Sequence, residues 1–345
     1  MSYDRLPGAV SVHYAELLRH AIHPTPDGAN LSFKTKTIGG RVYRYLHVSL
    51  GRRRSEHYLG PDSPELRARI ARERALWSAT EDDRRLRARL VAMLVSGGVA
   101  PVPAEEGKVL ALLERGGVFL AGGVLVGTHA FRAYGPMLGV SWRSELRTRD
   151  IDIAGEARFE VALDVAREVD LETLLAESGM GFLAVPSLDR RAPATAFRIR
   201  GRELTVELLT PLVGKPRSGP VRVPSLDAWA EPVRFIDYLL EDVQLAVLPH
   251  AHGVLVNLPA PGRFALHKLV AAERRPAAFA VKARRDRAQA EMLIDALAED
   301  RPGDLILARE AAEAMGGRFI AQLERGLTRV EPSVADRVND IVGSR

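Results

Sequence analysis

Asp150 and Asp152, in the run RTRDIDIA, form the only Asp-x-Asp of the sequence. On a strand, residues i and i+2 point to the same face, about 6.6 Å apart along the chain. Two carboxylates placed so can converge on one divalent cation or bridge a pair. Ile151 and Ile153 then face the opposite way, toward a core. A half-buried strand otherwise avoids two like charges side by side, because they repel unless a cation lies between them. The alternative is an exposed edge with solvated aspartates. Glu207 adds a third acid. In RELTVELLTP, Leu204, Val206 and Leu208 share one face and leave Thr205 and Glu207 on the other. If that strand lies beside the first, three oxygen donors meet, a set that suits Mg²⁺ with water and substrate phosphates as its remaining ligands. A third feature is Gly127-Thr128, where VLV runs into the next helix. Glycine lets the backbone approach a phosphate, the helix start offers N–H groups to an anion, and Thr128 adds a hydroxyl. Taken alone, Gly-Thr is a common helix start.

The elements that must hold these residues follow from local pattern. The segment 31–60 alternates polar and apolar residues and is broken at Gly39-Gly40 and near Gly51, which predicts a small antiparallel meander. Ser63 as N-cap and Pro64 at the first position predict a helix through PELRARIARERALW, and Thr80 with Asp83 a second one. Gly97-Gly98 and the PVP run at 101–103 read as a linker. A helix over 104–115, short strands VFLA and VLVG, a helix from Thr128, the Asp-x-Asp strand and a helix near 160–178 should follow. Two strands around Gly201 form a hairpin. Beyond Pro224 the pattern is read as helical at 226–242, 263–274, 280–299, 305–314 and 317–328, interrupted by the extended GVLVNLPAP. The expected units are 1–100, 101–224 and 225–345.

Phosphate-binding turn, alternating aspartates and a later strand carboxylate together resemble the nucleotidyltransferase superfamily, whose fold is shared with DNA polymerase beta. The runs GGVLVGTHAF, TRDIDIA, VELLTP and RFALHKLVAAERR with KARRDRAQA are similar to one bacterial branch of it, over roughly residues 30–300. Gly-Thr stands where that family has Gly-Ser, and the gap from Gly127 to Asp150 is longer than usual. The resemblance implies an α+β fold: a mixed sheet carrying the acids, flanking helices, a helical C-terminal domain and a small N-terminal β-meander plus helices. It implies transfer of a nucleoside monophosphate from a nucleoside triphosphate to a hydroxyl, with two Mg²⁺ or Mn²⁺ ions held by Asp150, Asp152 and Glu207. It places Lys268, Lys282 and Arg285 over the nucleotide, where the bland reading is a solvated helix face paired with Glu273 or Asp286. Arg147 and Arg149 flank the acids and could neutralise phosphate or merely offset the aspartates. His129 could touch substrate or simply cap and pack. Toxins of toxin–antitoxin systems share this fold, which adds a cognate antitoxin to the partners to consider.

Composition bounds the rest. The chain of 345 residues carries a formal charge of +5, which favours polyanionic partners. Phe33, Tyr43, Tyr45 and Tyr58 are interleaved with Lys34, Lys36, Arg41, Arg44 and Arg52 to Arg54. That module reads either as a platform for RNA, such as tRNA, or DNA, or as a small hydrophobic face with a solvated rim. The absence of cysteine excludes disulfides and thiolate chemistry, and with no secretory signal or apolar run of about 20 residues the expected location is the cytoplasm, away from the membrane. No P-loop, serine-hydrolase elbow or convincing zinc set occurs, His250 and His252 lacking a third ligand at sensible spacing. The rival functions are a non-catalytic nucleic-acid-binding protein of the same fold and an antibiotic-modifying enzyme, the latter disfavoured by the basic composition.

Overall fold

A computed structural model describes residues 3–22, 31–50, 53–143, 150–156, 169–187, 191–212, 214 and 219–343. β1 (Tyr3–Arg5) and α1 (Gly8–Ile22) precede three strands, β2 (Leu31–Ile38), β3 (Arg41–Leu50) and β4 (Arg53–Pro61), and the long α2 (Pro64–Ser96). Next come α3 (Ala104–Arg115), β5 (Val124–Val126), α4 (Gly127–Met137), β6 (Val140–Trp142) and β7 (Asp150–Ala154). They lead to α5 (Leu171–Ala176), β8 (Phe182–Ala184), β9 (Ala196–Ile199) and β10 (Thr205–Pro211). β11 (Val221–Val223), β12 (Ala228–Val233), α6 (Asp237–Leu240), β13 (Val243–Leu248) and β14 (Val254–Pro259) follow. The chain closes with α7 (Pro261–Arg274), α8 (Ala280–Asp300), α9 (Pro302–Ala314), α10 (Gly317–Leu327) and α11 (Pro332–Gly343).

The fold is α+β. Its main sheet has the order β11-β12-β10-β7-β5, with β9 also paired to β10 and β8 to β9. β10 runs parallel to β7 and β12, whereas β5 and β9 run antiparallel to their partners. Ile151, Ile153 and Val206 are fully buried, while Asp150, Asp152 and Glu207 are only half-buried. Period-two alternation thus seats the apolar side of these strands in the core that α3, α7, α8 and α10 also enter. β2, β3 and β4 form a separate three-stranded antiparallel sheet.

Several elements differ from the sequence expectations. The two helices expected after Ser63 are one helix of 33 residues. Ser63 caps it by accepting from the Leu66 N–H at 3.1 Å. No glycine or proline interrupts 65–96, and Thr80 is buried along the way instead of opening a new helix. VFLA is a turn, not a strand: the Val118 N–H bonds back to Leu113 O and Gly123 N–H to Val118 O, closing the end of α3 between two glycine pairs. The stretch 226–242 is not one helix: β12 takes Ala228–Val233, pairing with β10 and alternating with Ala228 and Ala230 inward and Trp229 outward, and only the short α6 is helical. The helix expected near 160–178 is described only as α5, residues 157–168 lying outside the described set.

Candidate active site

The acidic face is built by strand register. Glu207 of β10 lies directly opposite Asp152 of β7, and Thr205 opposite Asp150. On the other side of β7, Val126 pairs with Asp152, and Gly127 follows it as the first residue of α4. Gly127 has φ +68, and a Cβ added there would overlap the Asp152 carboxylate. Only glycine therefore allows the strand to turn into the helix while Asp152 lies against the helix start. α4 has no side-chain cap, so its first N–H groups remain to be satisfied by something other than a capping side chain. Thr128 is buried, and its Oγ1 accepts from Gln289 Nε2 at 3.1 Å, which keeps its own proton to donate.

Crowding the acids has an electrostatic cost. Burial first, then the Glu207 charge, pushes Asp152 up to about 7, with Asp150 adding to the rise and Lys268 and Lys282 opposing it. Burial and Asp150 likewise raise Glu207, against Lys282 and Arg198. Arg198 reaches this face from β9, its Nε 3.3 Å from Thr205 Oγ1.

Opposite the acids stands a basic wall from α7 and α8. A cavity of about 400 Å³ separates the two, lined on one side by Gly127, Thr128, Asp150, Asp152 and Glu207. Its other side presents Lys268, Lys282 and Arg285 together with Arg234, Arg274 and Arg275. Lys282 Nζ is 3.8 Å from Asp150 Oδ2 and about half exposed. Lys268 is not on a solvated face: it is buried, with Nζ 2.8 Å from Asp286 Oδ1. Arg275 Nε reaches the other oxygen of Asp286 at 2.5 Å. Burial opposes a charge on Asp286, yet Lys268 and Arg275 outweigh it and hold its carboxyl below the usual range. Glu273, the other partner considered for Lys268, pairs with Arg329 at 3.1 Å.

A sequence model of the nucleotidyltransferase family matches residues 104–315. The chain belongs to that family. No curated protein and no solved structure gives a match. In this nucleotidyltransferase the matched span runs from the start of α3 to the end of α9 and contains every described residue of the cavity, whereas β2, β3, β4 and α2 lie outside it.

Of the residues singled out from sequence, Gly127, Thr128, Asp150, Asp152, Glu207, Lys268, Lys282 and Arg285 line one cavity, and Arg147 and Arg149 lie outside the described residues. His129 packs: it is buried and does not line the cavity, and burial followed by Arg132 lowers it to about 3. Sequence reasoning missed His267, Arg274 and Arg275, and it read Asp286 only as a partner on a solvated face, whereas the pair with Lys268 is buried. Their signal was helical spacing, since Phe264, His267, Lys268, Ala271 and Arg274 fall on one face of α7, which Arg275 caps, and Lys282 and Asp286 fall on one face of α8.

Proposed function

We propose that the nucleotidyltransferase moves a nucleoside monophosphate from a nucleoside triphosphate to an acceptor hydroxyl, with Asp150, Asp152 and Glu207 holding Mg²⁺ or Mn²⁺. The observation that carries this reading is the opposition, across one cavity, of three carboxylates on a sheet face and a wall of lysine and arginine. A triphosphate and divalent ions match both halves of that field. Among the described residues no three His, Asp or Glu side chains are gathered closely enough to form a finished ligand set. The donor set nevertheless fits a hard cation, because Asp152 and Glu207 are both raised by burial and by neighbouring carboxylates, a penalty that two positive charges would remove. When bound, the ions supply charge neutralisation and lower the pKa of the acceptor hydroxyl.

The chain's own groups then divide the work. The N–H groups at the start of α4 and the Thr128 hydroxyl bind phosphate oxygens, with Gly127 permitting the close approach. Lys282 and Arg285 from α8, with Arg274 at the end of α7 and Arg275 just after it, hold the charge of the triphosphate tail. The acceptor oxygen forms a bond to the α-phosphorus as the bond to the bridging oxygen breaks, and pyrophosphate leaves. Glu207 takes the proton of the acceptor hydroxyl. Catalysis is mostly positioning and charge neutralisation.

The test is incubation with each α-labelled nucleoside triphosphate, Mg²⁺ or Mn²⁺, and RNA or cell lysate as acceptor. Label transfer by the native protein should fall at least about 100-fold in Asp152→Asn, the scale for losing one charge-stabilising group. Equal transfer by both would remove Asp152 from the reaction. Binding of RNA without metal and without any transfer would favour the non-catalytic reading.

A further inference from the structure

The charge of the chain is concentrated outside the part that matches the family. Residues 31–80 contain eleven Lys and Arg against four Asp and Glu, a net +7, so the remaining residues sum to −2. Within that stretch, β2, β3 and β4 form a sheet with two unlike faces. Register places Lys34 opposite Tyr45, Lys36 opposite Tyr43, and Tyr45 opposite Tyr58. Cross-strand partners share a face, so these three tyrosines and two lysines lie together, with Arg41 two residues before Tyr43. The Tyr45 and Tyr58 ring centroids are 5.5 Å apart, Tyr43 and Tyr58 6.1 Å, and Lys36 Nζ is 4.8 Å from the Tyr45 ring. Glu56 is the acid of this face, bonded to Lys36 and His47. The opposite face is the one turned to α2, where Arg74 lies over the Phe33 ring.

The tyrosine cluster is not a core. None of the core clusters among the described residues includes any residue of this sheet, and Tyr58 is 58% exposed. Aromatic rings gathered on one strand face, tilted or edge-to-face to one another, with ammonium groups beside them, offer stacking surface to unpaired bases and counter-charge to a phosphate backbone. Duplex bases are already stacked on one another and cannot use the rings. Unpaired loops and ends are the form in which RNA ordinarily presents its bases to protein.

We infer that the β2–β3–β4 face of Tyr43, Tyr45, Tyr58, Lys34 and Lys36 is a binding surface for single-stranded RNA. The surface is separate from the nucleotidyl-transfer cavity and stands whether or not transfer occurs. Its stacking contacts supply a factor of about 5 to 150 in affinity per base, from ~1–3 kcal/mol each. Its lysines make binding fall with salt, at a log–log slope near −0.7 for each phosphate neutralised.

Fluorescence anisotropy of the full chain with a short labelled RNA of unstructured sequence, at about 50 mM salt and without metal or nucleotide, tests this. The Tyr45→Ala/Tyr58→Ala pair should lose at least tenfold in affinity, Tyr45→Phe/Tyr58→Phe should recover most of it, and Lys34→Glu should weaken binding and flatten its salt dependence. The phenylalanine pair and Lys34→Glu keep the test decisive even if the alanine pair loosens the sheet. Absence of binding up to about 100 µM, the weak end of ordinary non-specific affinity, would overturn the inference. So would unchanged affinity in both the alanine pair and Lys34→Glu, or tighter binding of single-stranded DNA or duplex of the same sequence. Because no metal or nucleotide is present, such a failure leaves the transfer reading standing.

Discussion

Gly127 sits where backbone geometry and the proposed phosphate contact make the same demand. Its φ of +68 is in the left-handed region, and the Asp152 carboxylate occupies the space a side chain would need. In Gly127→Ala, strain of about 1–3 kcal/mol adds to the displacement of Asp152. The expected outcome is a loss of that order in urea-denaturation stability, with nucleotidyl transfer falling further than stability does. His129, two residues on, offers a pH signature. It is buried with Nε2 lacking a partner, and its folded-state value of about 3 lies below the ordinary 6.5. Between those values the unfolded chain binds the proton and the folded chain does not. Stability from this residue is therefore complete above about pH 6.5 and is lost as pH falls, by at most ~1.4 kcal/mol per unit. Asp152, raised to about 7, tilts the curve the opposite way over roughly pH 4–7. The difference between the native protein and His129→Gln isolates the histidine: the gap in unfolding free energy should shift in favour of the variant as pH drops from 6.5 to 4.

At the scale of elements, α7 and α8 are fastened to each other under the cavity by Asp286. Its carboxylate is buried and holds Lys268 and Arg275 on separate oxygens. Asp286→Asn leaves two cations facing one another, Lys268 buried among them, so a loss of about 3 kcal/mol or more is expected. Lys268→Met leaves Asp286 still paired with Arg275 and should cost less. The reverse order of urea midpoints would show that Asp286 is not what joins the two helices.

The same helices show what was legible in the sequence. The β7 and β10 strands were readable because Ile151, Ile153, Val206 and Leu208 alternate with the acids, a pattern local to each strand. Their parallel pairing, which sets Glu207 against Asp152, is a tertiary fact that the alternation only permits. The basic wall was half legible. Lys268, Lys282 and Arg285 stood out as cations, but Asp286 and His267 acquire their roles only when α7 and α8 pack together. β12 was read as helix because its pairing with β10 overrides a short ambiguous run. The continuity of α2 was hidden by a Thr80-x-x-Asp83 pattern that imitates a helix start, whereas Thr80 is buried within the helix.

Over the whole molecule, the N-terminal segments divide between structural support and an appended surface. α1 and the second half of α2 close a small core with Val10, Tyr14, Leu17, Leu90, Leu94 and Val247. Tyr14 OH meets the Val247 N–H at 3.2 Å and Arg87 donates to Gly253 O at 2.9 Å, so both helices are tied to β13–β14. The β2–β4 sheet contributes nothing to any of the core clusters among the described residues. Replacing residues 31–61 with a flexible linker should therefore leave the thermal midpoint within a few degrees, the shift expected for about 1 kcal/mol. Replacing Leu17 and Leu94 with alanine should cost about 2–5 kcal/mol each. If the sheet replacement instead unfolds the protein as strongly as those alanines, the sheet is part of the fold's support, and the tyrosine face loses its standing as an appended surface. If the replacement folds and its cavity still binds nucleoside triphosphate, support and surface are separable, and the excess positive charge of residues 31–80 serves something other than holding the family-matched span together.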